Sequence, residues 1–411
     1  MRYLAGLLLA LALSGAIVAA GLGIVNSYRH RRRASLVWAF AAVTLFVGQC
    51  GLGQLMNASK PTAGQQVAVK PSASPTHPAT QISSRPSPWS PAQPGATRLP
   101  VAGFGRMVVD PTTSQVFVSS PQSSAIVVLD FSGNIVRTIT DEPGADAMVV
   151  IGSVLYVTLT TAGAIDEIDT GKLSRIRTLT SGLVSPADLV AASGRLWTTT
   201  GPCANWSTQL VSVDPKSGTS KTFKLPIESS LSYCVAFAAN DPTAGRILAW
   251  DRGLEPATVS LIDVSTGIPV FVQSAREDRL GNLKDVAFTR DGARFITASG
   301  APYEFDEWLI TNLAQDGVIY PAGPYPVAVA ATYSGKETMA GGLWQPYGQD
   351  VYEYAVGWPS SALPGHHMGT TSSQVYDRGL AFSVDGSSIF VLTGDQQPGS
   401  VDVTFNVIGA A

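Results

Sequence analysis

The chain is predicted to be all-β: a seven-bladed β-propeller of four-stranded blades, preceded by N-terminal transmembrane or signal helices and a disordered linker. Three observations predict this. Short apolar strands recur at a near-constant period from about residue 105 onward. Polar turns of Asp, Gly, Ser and Pro separate them, and four repeats close their third strand on an Asp at a matched position. With Met107, Met148, Leu189, Val235, Val286, Ala328 and Leu380 as equivalent anchors, the spacings are 41, 41, 46, 51, 42 and 52 residues. Periods of roughly 40–50 residues built from short strands mark propeller blades of four strands each. Helical solenoids have similar periods but need apolar residues three and four apart; here the pattern alternates or runs continuously branched.

Residues 1–33 hold a first hydrophobic segment, Tyr3 to Val25, and a basic loop, Tyr28-Arg29-His30-Arg31-Arg32-Arg33; residues 34–56 are a second such segment. Each segment runs 23 residues without an acid or a base. At about 1.5 Å per residue that is enough to cross roughly 30 Å of hydrocarbon. The positive-inside rule keeps the basic loop cytoplasmic and both termini outside, so the propeller is expected on the extracytoplasmic side of a cell membrane. Two other readings keep it on that side. A start near Val25 makes the basic loop and second segment a secretory signal, and Val47-Gly48-Gln49-Cys50 resembles a lipoprotein box, although Gln49 is larger than the small residue preferred there. Residues 57–96 are expected to be a linker: nine prolines fall between Pro61 and Pro100 among Ser, Thr, Ala and Gln. Such a segment buries too little to fold and behaves as an extended spacer.

Residues 97–411 are assigned to the propeller. After each anchor strand and a polar turn such as Asp110-Pro111, Asp291-Gly292 or Asp385-Gly386 comes a second strand, as in Val116-Phe117-Val118 or Leu155-Tyr156-Val157. Asp-Pro and Asp-Gly supply the tight-turn geometry that a hairpin needs. Third strands end on Asp130, Asp169, Asp214 and Asp263. Tyr156-Val157-Thr158 with Ile165 to Thr170, and Val259 to Gly267, resemble the YVTN-repeat, lactonase-like family of seven-bladed propellers. That resemblance spans roughly residues 100–411, and it implies the fold more strongly than any activity. Blades five and six depart from it, because Trp308 to Asn312 and Val351 to Tyr354, read as their third strands, lack the Asp. The last repeat offers strands near 378–383, 388–393 and 400–408 and then ends, leaving a sheet edge open to aggregation. Arg98 to Gly103 is expected to supply the missing strand and seal the ring.

Charge and cysteine use narrow the function. Residues 1–100 contain nine Lys or Arg and no acid, which leaves 18 basic against 30 acidic residues, a balance of −12, for the remainder. Nucleic-acid backbones require basic patches, so no nucleic-acid partner is expected. Cys203 and Cys234, the only cysteines of the propeller region, are expected to form a disulfide worth roughly 3–4 kcal/mol. The alternative is a pair of buried apolar residues. The four histidines are His30, His77, His366 and His367. The adjacent pair could hold a metal, but without a matched set of carboxylates it reads as a solvated loop, and no cofactor or metal is expected. No GxSxG elbow or glycine-rich phosphate loop is present.

The candidate binding residues are irregular ones. Tyr303-Glu304-Phe305-Asp306-Glu307-Trp308 reads as an insertion at the turn between strands two and three of blade five. Glu304, Asp306, Glu307 and Trp308 could there hold a sugar or a cation, or Phe305 and Trp308 could pack on the sheet of a long hairpin. Trp344, with Tyr347, Tyr352, Tyr354 and Trp358 in blade six, raises the same choice between core and interface. Arg106, Asp188, Arg252, Asp285, Asp377 and Arg378 adjoin first strands and could line the channel mouth or cap turns. Two functions follow. One is a non-catalytic surface propeller that binds a protein, peptide or envelope polymer through its loop face. The other, implied by the resemblance, is a lactonase-like or metal-dependent hydrolase acting at the channel.

Overall fold

A computed structural model describes residues 96–411, apart from 202–207, 226–230, 232–233, 240–244, 302, 322–324, 333–336, 345–349, 358–373, 395–402 and 411. The blades belong to one compact unit. The segments expected to form N-terminal helices, nearly all of the expected linker, Cys50, Cys203 and all four histidines lie outside the described residues. Among the described residues no helix is long and apolar enough to cross a membrane.

Seven antiparallel sheets follow one another along the chain. Their innermost strands are Met107–Asp110, Ala145–Ile151, Leu189–Ala192, Val235–Ala238, Leu283–Phe288, Pro326–Ala331 and Gln374–Phe382, and all seven anchor residues fall on them. Six sheets have four described strands and the sixth has three. The fold is a seven-bladed propeller. Its hydrophobic clusters number seven among the described residues, each gathered mainly from two consecutive blades. Phe117 and Val128 of blade one meet Leu155 and Val157 of blade two; Val327 and Val351 of blade six meet Phe382 and Val391 of blade seven. Burying both faces of every blade explains why the second and third strands read as continuous apolar runs rather than strict alternation. The outer strands are exposed and charged, as in Ser174–Ser181, which discourages edge-to-edge association.

Ring closure occurs as expected, with a shift of one residue. Thr97–Arg98 pairs antiparallel with Val403–Gly409, placing Thr97 opposite Phe405, and the Leu99 amide donates to the Val403 carbonyl at 2.8 Å. The side chains of Leu99 and Val101 are buried against Phe390, Leu392 and Phe405 of the last blade and Val116 of the first. The N-terminal strand thus joins blade seven, and the residues after it fill the seam with blade one.

The Asp residues that end third strands are turn-formers. Asp169 Oδ1 accepts from the amides of Gly171 (3.0 Å) and Lys172 (2.8 Å), and Asp214 Oδ1 from Lys216 (2.8 Å) and Ser217 (3.1 Å). Asp130 and Asp263 do the same in their own blades. These bonds to the charged form hold the Asp169, Asp214 and Asp263 carboxyls below the ordinary range.

Blade five corrects the sequence expectation. Glu304–Leu309 is not an insertion at a turn but the third strand itself, with Trp308 opposite Phe295 and Phe305 opposite Ala298. Phe305 and Trp308 do pack in the core, and the Trp308 ring lies 6.3 Å from Phe295. The two acids between them concealed the strand. Each is buried beneath a partly exposed arginine: Arg279 bonds Glu304 and Asp306, and Arg294 Nε lies 3.1 Å from Glu307. The Tyr320 hydroxyl donates to Glu307 at 2.6 Å.

Candidate functional site

The innermost strands begin at one end of the channel. In an antiparallel blade the links between strands two and three, and those between consecutive blades, open on that same end. Three groups of candidate residues are distributed by this rule.

The first group forms a charged collar around the mouth. Arg106 precedes the inner strand of blade one, Asp188 that of blade three, Asp285 lies near the start of that of blade five, and Asp377 and Arg378 sit on that of blade seven. Arg252 follows the second strand of blade four. Arg378 Nη2 lies 3.1 Å from Asp188 Oδ2, its Nε 3.8 Å from Asp285 Oδ1, and its guanidinium 5.7 Å from the Trp250 ring centre. Arg106 Nη2 lies 3.5 Å from Asp188, and Arg252 Nη2 and Lys284 Nζ lie 3.9 and 3.6 Å from Asp377. The sequence candidates at the mouth are therefore brought together from five blades. Arg378 has φ +61°, a left-handed conformation rare for a long side chain, at a register shift in its strand.

Two of these acids also tie blades together. Asp188 Oδ2 accepts from the Phe237 amide of blade four at 2.7 Å, and Asp285 Oδ2 from the Val329 amide of blade six at 3.0 Å. Burial pushes the Asp285 carboxyl up to about 7. Asp146 joins the collar as a residue the sequence reasoning missed. Desolvation, and then the charge of Asp188, push its carboxyl up to about 6 against the pull of Arg252 and Arg106. A signal for Asp146 existed: it stands two residues before its blade's anchor, beside the equivalent position that Asp188 occupies in the next blade. Behind the mouth, the inner strands enclose a channel cavity of about 400 Å³ walled by Val108, Val149, Ala238, Ala287, Ala330 and Ala381.

The second group is aromatic. Trp344 follows the second strand of blade six, Tyr325 immediately precedes its inner strand, and Tyr303 lies in the turn between strands two and three of blade five. Their rings meet edge to face, at 4.9 Å between Tyr303 and Tyr325 and 5.5 Å between Tyr325 and Trp344. They remain 43%, 40% and 36% exposed. Tyr303 (φ +75°) and Tyr325 (φ +60°) both hold left-handed backbone, a cost that packing alone does not require of exposed rings. The Tyr303 hydroxyl is raised above its ordinary range, first by its hydrogen bond with Tyr325. Tyr325 carried no signal in the sequence, because only the fold sets it between the other two.

The third group is internal. Asp306, Glu307 and Trp308 are enclosed in blade five, and burial followed by the charge of Glu304 pushes Asp306 up to about 7. His366 and His367 lie outside the described residues. Among the described residues no cluster of three or more His, Cys, Asp or Glu side chains has metal-binding geometry.

No protein-family description and no curated protein matches the chain in sequence, so the YVTN resemblance rests on the repeats alone. Solved structures share the fold. A chain of the hydrazine synthase of Kuenenia stuttgartiensis is 14% identical with a TM-score of 0.56, the match covering 77% of this chain and 97% of that one. A streptogramin B lyase is 13% identical with a TM-score of 0.55, covering 76% and 97%. Identities this low convey architecture and nothing about a shared reaction.

Proposed function

We propose that the protein is a non-catalytic binding propeller, held outside a membrane by its N-terminal segments on the proline-rich stalk, that takes a carbohydrate polymer of the envelope on the loop face of blades five and six. The observation that carries this reading is the exposed triad Tyr303, Tyr325 and Trp344. Aromatic faces offer apolar area to the C–H faces of a pyranose, while polar groups around them bond its hydroxyls. The phenol groups of Tyr303 and Tyr325 supply such partners. Left-handed backbone at two of the three positions is the kind of local strain that persists where presentation of a side chain matters.

Sedimentation of the full chain, purified in detergent, with insoluble peptidoglycan or a soluble neutral polysaccharide tests the reading. Trp344→Ala and Tyr325→Ala are each expected to weaken binding at least tenfold; binding that survives both substitutions sinks it. Protease added to intact cells is expected to remove the propeller, and a protected domain contradicts outward display. Cys203 and Cys234 form the disulfide suited to that compartment, so unfolded, unreduced protein should leave both unlabelled by a thiol reagent. The hydrolase alternative draws on the charged channel mouth and on the enzyme name of the streptogramin B lyase that shares the fold. Turnover of a lactone panel, or a stoichiometric metal in the purified protein, replaces the binding reading with that one.

A further inference from the structure

We propose that the channel mouth is a second binding site, independent of the aromatic triad, for a small oxyanion: a carboxylate or a tetrahedral anion held by the guanidinium groups of Arg106, Arg252 and Arg378. The argument rests on an asymmetry in how the collar satisfies its charges. Two of the acids, Asp188 and Asp285, are supplied by backbone amides. Asp188 accepts from the amides of Phe237 (2.7 Å) and Leu189 (3.0 Å), and Asp285 from those of Val329 (3.0 Å) and Val286 (2.9 Å). The arginines are not supplied to the same degree. Charge-assisted N–H···O bonds are about 2.7–2.9 Å long, yet Arg106 reaches Asp188 only at 3.5 Å and Arg252 reaches Asp377 only at 3.9 Å. Arg378 makes one close contact through Nη2, at 3.1 Å, while its Nε is buried without a hydrogen-bond partner, although the side chain is only 8% exposed.

These donors converge on a cavity of about 60 Å³ lined by Arg106, Asp146, Asp188, Arg252 and Arg378. A single water needs roughly 10–15 Å³ of such space, so the cavity admits a group of several heavy atoms, the size of a carboxylate or a sulfate. Three arginines line it against two acids, Asp146 and Asp188, while Asp285 and Asp377 stand outside the lining at 3.8 Å from Arg378 and 3.9 Å from Arg252. Arg378 is held there on left-handed backbone and over the Trp250 ring, so its guanidinium is positioned before any ligand arrives. The apolar channel behind the cavity gives the rest of a ligand room to extend.

Calorimetric titration of the full chain in detergent with sodium sulfate and, separately, sodium acetate tests the site. One saturable site for at least one of the two anions is expected, and the preferred anion distinguishes a tetrahedral from a planar ligand. Arg106→Gln and Arg252→Gln, whose side chains are 16% and 37% exposed, should each weaken binding at least tenfold, while Arg137→Gln on an outer strand should leave it unchanged. Circular dichroism checks that each variant is folded. Absence of saturable binding for both anions, or equal affinity in all three variants, overturns the proposal. Neither result bears on the polysaccharide assay of the triad.

Discussion

Arg378 and Asp146 show at the residue scale how the mouth is tuned. Arg378 sits between Asp188 and Asp285 on a conformation few residues adopt, and Asp146 meets the charges of Asp188, Arg106 and Arg252. With its carboxyl raised to about 6, Asp146 is largely neutral at pH 5 and ionised by pH 7.5. Ionisation adds a negative charge beside the cavity, so sulfate, whose own charge is constant over this range, should bind several-fold more tightly at pH 5 than at pH 7.5. Asp285, pushed up to about 7 and 3.8 Å from Arg378, ionises over the same range in the same direction, so Asp146→Asn should reduce that dependence without abolishing it. An affinity that rises with pH contradicts this account.

At the scale of the element, turns and close approaches decide what each blade tolerates. Asp263 ends the third strand of blade four and accepts from the Ser265 amide and hydroxyl. Asp263→Ala is expected to cost about 1 kcal/mol in urea unfolding, the usual worth of one such bond. Asp263→Asn keeps an acceptor and should cost less; equal losses point away from the turn. Gly341 marks a tighter constraint between blades five and six. A Cβ there would lie 2.4 Å from the Phe305 ring, so Gly341→Ala should destabilise by about 1–3 kcal/mol through overpacking. A neutral result means that Phe305 can move. Inner strands and most second strands of the blades were legible in the sequence, because their apolar runs and Asp turns repeat. The third strand of blade five was not, since Asp306 and Glu307 break the apolar run and their partners Arg279 and Arg294 come from elsewhere in the blade.

For the whole molecule, stability depends on the seam and on buried acids. Leu99 is buried where the N-terminal segment meets blades one and seven. Leu99→Ala should cost about 2–3 kcal/mol and lower the thermal midpoint, and an unchanged midpoint argues that the ring holds without that segment. Glu142, Asp285 and Asp306 are pushed up to about 7 and Asp146 to about 6, each chiefly by burial. In the unfolded chain such groups ionise near pH 4, so the unfolded state binds fewer protons and stability declines as pH rises from about 4 towards 7. The depressed turn acids act the other way only near and below pH 4. A higher thermal midpoint at pH 5 than at pH 8 is therefore expected, and the reverse order contradicts the assignment of these buried acids.

The amino-acid sequence alone determined the seven-fold repeat, the anchor strands, the turn role of the recurring Asp residues and the donation of an N-terminal strand to the last blade. Each is a local or periodic signal, carried by side-chain alternation and turn chemistry within one repeat. Only the tertiary structure decided which charged residues meet at the channel mouth, that Asp146 joins them, and that Tyr325 completes an exposed triad with Tyr303 and Trp344. The mouth draws on blades far apart in sequence that ring closure brings within a few ångströms, and the triad on loops of two neighbouring blades; neither grouping leaves a periodic trace in the chain.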